Sequence, residues 1–237
     1  MTLIALNDAI KSKSLNQVND LLGHNSLLLC KMDRWGYYPI HYAVGTSLDM
    51  TELLLHYKAN VNVRSKHKHL PIYYAAKNNQ LSTLNLLIKI STTSNLVDLI
   101  KSFNIALEKR NTEALPLIMK EISSRDNLYG KIDVFLMESL NKALKYKYIE
   151  GVKELLIMKA DPNMICDALG NTPLHVAAII NDKKLISELL RCGAKKNMQN
   201  VLGKTYLDIL SNTNQPASDP QNETWDVKLM SEGASFS

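Results

Sequence analysis

The residues best suited by type to do chemistry are two histidines in look-alike settings. His175 lies in "GNTPLHVAA" (Gly170–Ala178), and His41 lies in "DRWGYYPIHYAV" (Asp33–Val44). Each sits two positions after a proline, Pro173 and Pro39, and five after a glycine, Gly170 and Gly36. Histidine is the commonest general base, but a catalytic base needs no second copy. A side chain that stiffens a repeated unit does, so the duplication favours a structural role for both. His67 and His69, in the basic stretch "RSKHKH" (Arg64–His69), are metal ligands by type. No cysteine or carboxylate cluster accompanies them, so a solvated loop or a contact patch for an acidic partner is the stronger reading, and no metal is expected. The chain shows no nucleophile motif, phosphate-cradling glycine loop or paired-carboxylate arrangement. Neither catalysis nor a cofactor is expected.

The elements that must hold these histidines recur along the chain. Leucine pairs begin at Leu21, Leu54, Leu86, Leu155 and Leu189, in steps of 33, 32, 69 and 34. The long step is two periods with one pair missing, and Ile118-Met119 falls in the vacant slot. Ala43, Ala75, Ala143 and Ala177 keep the same rhythm, with "NIALEKRN" (Asn104–Asn111) near the gap. Such a period marks a repeat architecture. Within "LHVAAIINDKKLISELLRCGA", Leu174, Ala177 and Ala178 share one helical face, and Asn181-Asp182 interrupt. Leu185, Ile186, Leu189 and Leu190 then recur at three- and four-residue spacing, which predicts a second amphipathic helix. Thr172-Pro173 suits a helix start, and Gly193 a left-handed helix end.

These motifs resemble the ankyrin repeat, whose signature includes Gly-x-Thr-Pro-Leu-His-x-Ala-Ala and a later Leu-Leu-x-x-Gly-Ala. The resemblance covers Thr2 to about Leu210. It implies an all-α solenoid of stacked helix-turn-helix units with short hairpin fingers, and a motif histidine that bonds to backbone groups of the neighbouring turn. Two slots depart from the pattern: Tyr73 and Asp208 stand where the histidine belongs. The expected organisation is an N-terminal capping helix pair over 1–31, two repeats over 32–95, and two divergent helix pairs over 96–163. A further repeat and the start of a C-terminal cap fill 164–210, and a polar acidic tail fills 211–237. The stretches "STTSN" (Ser91–Asn95) and "SSRDNLYGKID" (Ser123–Asp133) are expected as extended loops, and Pro116 as first turn of a helix.

By the same resemblance, the residues facing the concave, finger-lined side are Arg34, Trp35, Tyr37, Lys66, His67, His69, Lys77 and Asn78. Exposed Trp, Tyr and Arg often dominate interfaces. Two readings of Trp35 stay open, a partner contact or packing on the neighbouring finger. The implied function is recognition of a protein partner by a monomer, with an acidic partner surface suggested by the lysines.

Bulk properties agree. The chain has 237 residues, 46% hydrophobic and 22% charged, with a net charge of +5. No apolar run reaches the roughly 18 residues of a membrane span. Three scattered cysteines, Cys30, Cys166 and Cys192, suggest neither a disulfide framework nor a zinc site, so a cytoplasmic protein is expected. The positive charge is mostly lysine without interleaved aromatics, so no nucleic acid is expected. The tail carries Asp219, Glu223, Asp226 and Glu232 against Lys228, with Trp225 and Leu229 four apart. Its ending, "MSEGASFS", is similar to the C-terminal signals of effectors that intracellular bacteria export through type IV secretion. That likeness suggests secretion into a host cell. An adaptor or enzyme regulator whose tail recruits a second protein is the alternative.

Overall fold

The computed structural model describes residues 2–90, 96–124 and 131–213. The chain divides into two compact units, Met1–Phe135 and Leu136–Ser237. Unit 1 holds helix pairs in chain order: α1 (Leu3–Lys11) with α2 (Leu15–His24), α3 (Pro39–Ala43) with α4 (Leu48–His56), α5 (Pro71–Lys77) with α6 (Leu81–Ile90), and α7 (Leu96–Glu108) with α8 (Ala114–Ser123). A short 3-10 turn, Ser26–Cys30, precedes the first finger. α9 (Lys131–Lys145) contains the boundary. Unit 2 continues with α10 (Ile149–Ile157), α11 (Pro173–Ile179), α12 (Lys183–Arg191) and α13 (Tyr206–Thr213).

The first helices of successive pairs pack on one another: α1 on α3, α3 on α5 and α5 on α7 in unit 1, and α11 on α13 in unit 2. The alanines permit it. Ala43, Ala75 and Ala106 in unit 1 and Ala143 and Ala177 in unit 2 are fully buried, so backbones approach closely with no side chain between. The leucine pairs close the core from the second helices. Leu54, Leu87, Leu155 and Leu189 are fully buried, and Ile118 is buried as completely in the slot without a leucine pair. Each such side chain contributes about 2 kcal/mol of burial free energy. The divergent middle therefore keeps the packing rule after losing the motif: α7 buries Leu99, Phe103, Ala106 and Leu107, and α8 buries Leu115, Ile118 and Ile122. Pro116 falls in the first turn of α8, where its missing N–H costs nothing.

Where α4, α10 and α12 end, the chain turns away through a residue with positive φ. Gly193 takes φ +91° after α12, as its place in the motif predicts. At the matching ends of α4 and α10 the residue is a lysine, Lys58 (φ 63°) and Lys159 (φ 69°), which carries a Cβ into a region that disfavours one.

The fingers are short turns, as the resemblance implies. Among the described residues there is no strand. Each finger of unit 1 is a tight turn closed by two backbone bonds, Asp33 N to Tyr37 O (2.9 Å) with Gly36 N to Asp33 O (2.9 Å), and Ser65 N to His69 O (2.9 Å) with Lys68 N to Ser65 O (2.8 Å). The arms are too short to build a ladder. The two loops expected at 91–95 and 123–133 and the tail lie largely or wholly outside the described residues.

Candidate functional site

The first finger is organised by one carboxylate. Asp33 accepts hydrogen bonds from the Trp35 and Tyr37 amides (3.0 Å each), from the Tyr42 hydroxyl (2.6 Å) and from the Asn7 amide on α1 (3.2 Å). Burial works to raise its pKa, but the Tyr42 hydroxyl, the two amides and the nearby Lys11 charge outweigh it and hold the carboxyl below its usual range. A fully occupied aspartate fixes the turn and thereby the direction of Trp35.

Trp35 is 48% exposed, and two cations flank its ring. The Arg34 guanidinium lies 4.1 Å and the Lys11 ammonium 5.3 Å from the ring centroid. Lys11 also sits 4.3 Å over the Tyr42 ring. Tyr37, in contrast, is part of a packed aromatic group. Its ring lies 5.5 Å from Tyr42, 5.6 Å from Tyr74, 6.1 Å from His41 and 6.2 Å from His67. It is as much a structural residue as a surface one, which revises the expectation that it serves only a partner.

Gly36 brings the first and second fingers together. It takes φ +86°, its carbonyl accepts from the Lys66 amide (2.8 Å), and a Cβ there would collide with the Lys66 side chain. The second finger then presents Lys66, His67 and Lys68 to solvent. His69 is half-buried, its ring stacked on Tyr73 at 3.9 Å and 5°. This stack explains the tyrosine at the histidine slot, since Tyr73 supports its own finger through ring contact. Burial, then the charges of Lys101, His67 and Lys77, lower the His69 pKa, with Asp98 opposing. Lys77, ending α5, and Asn78, covering Gly45, are exposed on the same first-helix end.

Arg64 is not part of a free basic patch. It donates two 2.8 Å bonds to Asp98 in the first turn of α7, and a third to the Lys68 carbonyl (3.0 Å). Among the described residues no three histidine, cysteine or acidic groups converge as metal ligands.

The motif histidines are linchpins. The His175 Nδ1 accepts from the Thr172 amide (3.1 Å), so Nε2 carries the proton and donates to the Lys204 carbonyl of the next finger (2.9 Å). His41 Nδ1 accepts from the Tyr38 amide (3.1 Å), but its buried Nε2 has no hydrogen-bond partner. Burial pushes the His41 pKa down to about 4, against the pull of the His69, Tyr38 and Val63 backbone. At the terminal slot Asp208 accepts from the Thr205 amide (2.8 Å) and hydroxyl (2.7 Å), doing the cap's work with a carboxylate. In unit 2, Gly170 (φ 70°) plays the part of Gly36, and Val201 N bonds to Leu169 O (2.9 Å). The finger there exposes Val201 and Leu202 in place of cations.

The sequence reading did not single out Lys11, Asp98 or Lys101. Lys11 and Lys101 come from helices outside the fingers, and nothing in the spacing of Asp98 marks it as the partner of Arg64.

The family model for ankyrin repeats, in three copies, matches residues 6–98 and 140–217. The chain is 29% identical over 169 residues to mouse Rabankyrin-5, a match covering 69% of this chain and 14% of that protein. It is 24% identical to a putative ankyrin repeat protein of fowlpox virus, over 75% of this chain and 30% of the viral one. The chain thus spans less than a third of either relative. Among solved structures, the ankyrin repeat domain of Bcl-3 superposes with a TM-score of 0.66 at 21% identity, covering 86% of this chain and 92% of that one. The human ASB11 ankyrin repeat domain gives 0.64 at 19%, covering 89% and 98%.

Proposed function

Because the chain belongs to the ankyrin-repeat family, we propose that it is a protein-recognition module, and that the finger side of unit 1 is its contact surface. Ankyrin repeats are protein–protein interaction modules. The observation that carries the assignment to this surface is Trp35. A half-exposed tryptophan on a turn locked by Asp33 is a large apolar anchor whose ordering cost is already met before binding. Arg34 lies over the indole, Lys66, His67, Lys77 and Asn78 are exposed, and Tyr37 and His69 are partly so; we count all of them in the surface. Among the described residues no helix is long and apolar enough to cross a membrane.

The test compares wild type with Trp35→Ala as bait in an affinity capture, with thermal melts of both. Loss of the captured protein at unchanged melting temperature supports the surface. Equal capture by the two baits refutes it.

A second reading concerns the tail, which lies outside the described residues from 214 onward. Its four acids and the Trp225–Leu229 spacing favour a segment that docks a second protein, as an adaptor does, or that directs export into a host cell. The relatives named above are vertebrate and viral, so export rests on the tail's composition alone. A tail peptide that captures a protein by itself supports the docking form. Removing the last residues in an export reporter tests the other, and unchanged export refutes it.

A further inference from the structure

The charges on the finger side of unit 1 are unevenly matched. Three of its carboxylates are engaged: Asp33 holds the first turn, Asp98 holds Arg64, and Glu108 pairs with Lys109 at 3.1 Å. Its cations are not. Arg34, Lys66, Lys77 and Lys101 form no ion pair with a carboxylate of the described residues. They occupy two stations. One is the tryptophan flanked by Arg34 and Lys11, and the other is made by Lys77 at the end of α5 and Lys101 on α7, two helices packed on each other, with His67 reaching back to Tyr37. Tyr37 joins them, touching Tyr42 beneath Lys11 on one side and His67 on the other.

Resting on the reading of this surface as the contact site, we propose that its partner is an acidic protein segment. One apolar side chain of that segment lies on Trp35, and carboxylates before and after it meet Arg34 and Lys11 at one station and Lys66, Lys77 and Lys101 at the other. Lysines and arginine left without internal counter-ions attract carboxylates and speed encounter. The exposed indole supplies the short-range anchor that charge alone lacks. A single-stranded nucleic acid is the weaker fit to the same charges. Stacking along a strand needs a series of open rings, whereas Tyr37, Tyr73, Tyr74 and His69 are spent on one another.

The experiment is fluorescence anisotropy of the full chain with three labelled probes. They are a glutamate peptide carrying one central phenylalanine, the same peptide with glutamines, and single-stranded oligothymidine. The glutamate peptide should bind, weaken steadily as salt rises, and lose about tenfold in affinity with the double variant Lys77→Glu and Lys101→Glu. Trp35→Ala should weaken it as well, and Lys89→Glu, on the outer helix α6, should not. Thermal melts establish that each variant is folded. Equal binding of the glutamine peptide, indifference to charge reversal, or tighter binding of oligothymidine overturns the proposal. Applied to a captured partner, the same variants separate the two ideas. Loss with Trp35→Ala but not with charge reversal sinks the acidic segment and leaves the surface standing. Loss with neither sinks the surface itself.

Discussion

Arg64 and Asp98 form a two-pronged ion pair, 2.8 Å on each prong, in which the carboxylate is only 3% exposed and the guanidinium side is open to water. The pair joins the second finger to the first turn of α7, where the repeat motif has vanished. Removing Arg64 strands a buried charge. Arg64→Ala should therefore cost about 2–3 kcal/mol, at the lower end of the range for broken buried pairs because one side is hydrated. The double variant Arg64→Ala with Asp98→Ala should recover part of the loss. Urea unfolding of the single and double variants measures it, and additive losses would show that the pair is not coupled.

His175 links two fingers through both ring nitrogens, whereas His41 uses one. His175→Ala should thus destabilise more than His41→Ala by about 1 kcal/mol, the net worth of one hydrogen bond. Paired thermal melts decide this, with matching losses counting against the bridge.

His41 also makes stability depend on pH. Its native pKa is about 4, below the 6.5 of the unfolded chain. Between those values the unfolded state binds a proton that the native state does not, so stability rises with pH across the window. Going from pH 7 to pH 5 should remove roughly 2 kcal/mol from this group alone, and below pH 4 its effect levels off. His69 is shifted in the same direction and adds to the slope. His41→Gln should flatten the profile in urea melts at the two pH values. A variant as acid-sensitive as wild type would remove His41 as the cause.

Lys58 and Lys159 hold positive φ at helix ends where Gly193 stands in the motif repeat. Both Lys58→Gly and Lys159→Gly should stabilise, by about 0.5–1 kcal/mol each, because relief of the Cβ strain exceeds the added entropy of the unfolded glycine. Differential scanning calorimetry should show a higher Tm, and a lower one would mean that the lysine side chains contribute more than their strain costs.

Much of the fold was legible in the residues themselves. The period, the paired helices, the buried alanines, the filling of the vacant slot by Ile118 and the positive φ of Gly193 all follow from patterns repeated every few turns of chain. The structural role of His41 and His175 followed from their duplication. The short fingers between the pairs were legible too, though not the backbone bonds that close them. The candidate surface was legible only in part. Trp35 and Tyr37 stood out by residue type alone, while the flanking of Trp35 by Lys11 and the ring contacts of Tyr37 did not.

The difference has a physical cause. Helix pairing is dictated by apolar spacing along a few adjacent turns, and that information is local, so the sequence by itself determined which stretches become helices and which faces they bury. The meeting of Arg64 with Asp98 and of Lys11 with Trp35 depends on rotations and offsets between helices far apart in the chain. Charge pairing decays over a few ångströms, so only the packed tertiary structure could decide which cations are neutralised and which are left to face a partner.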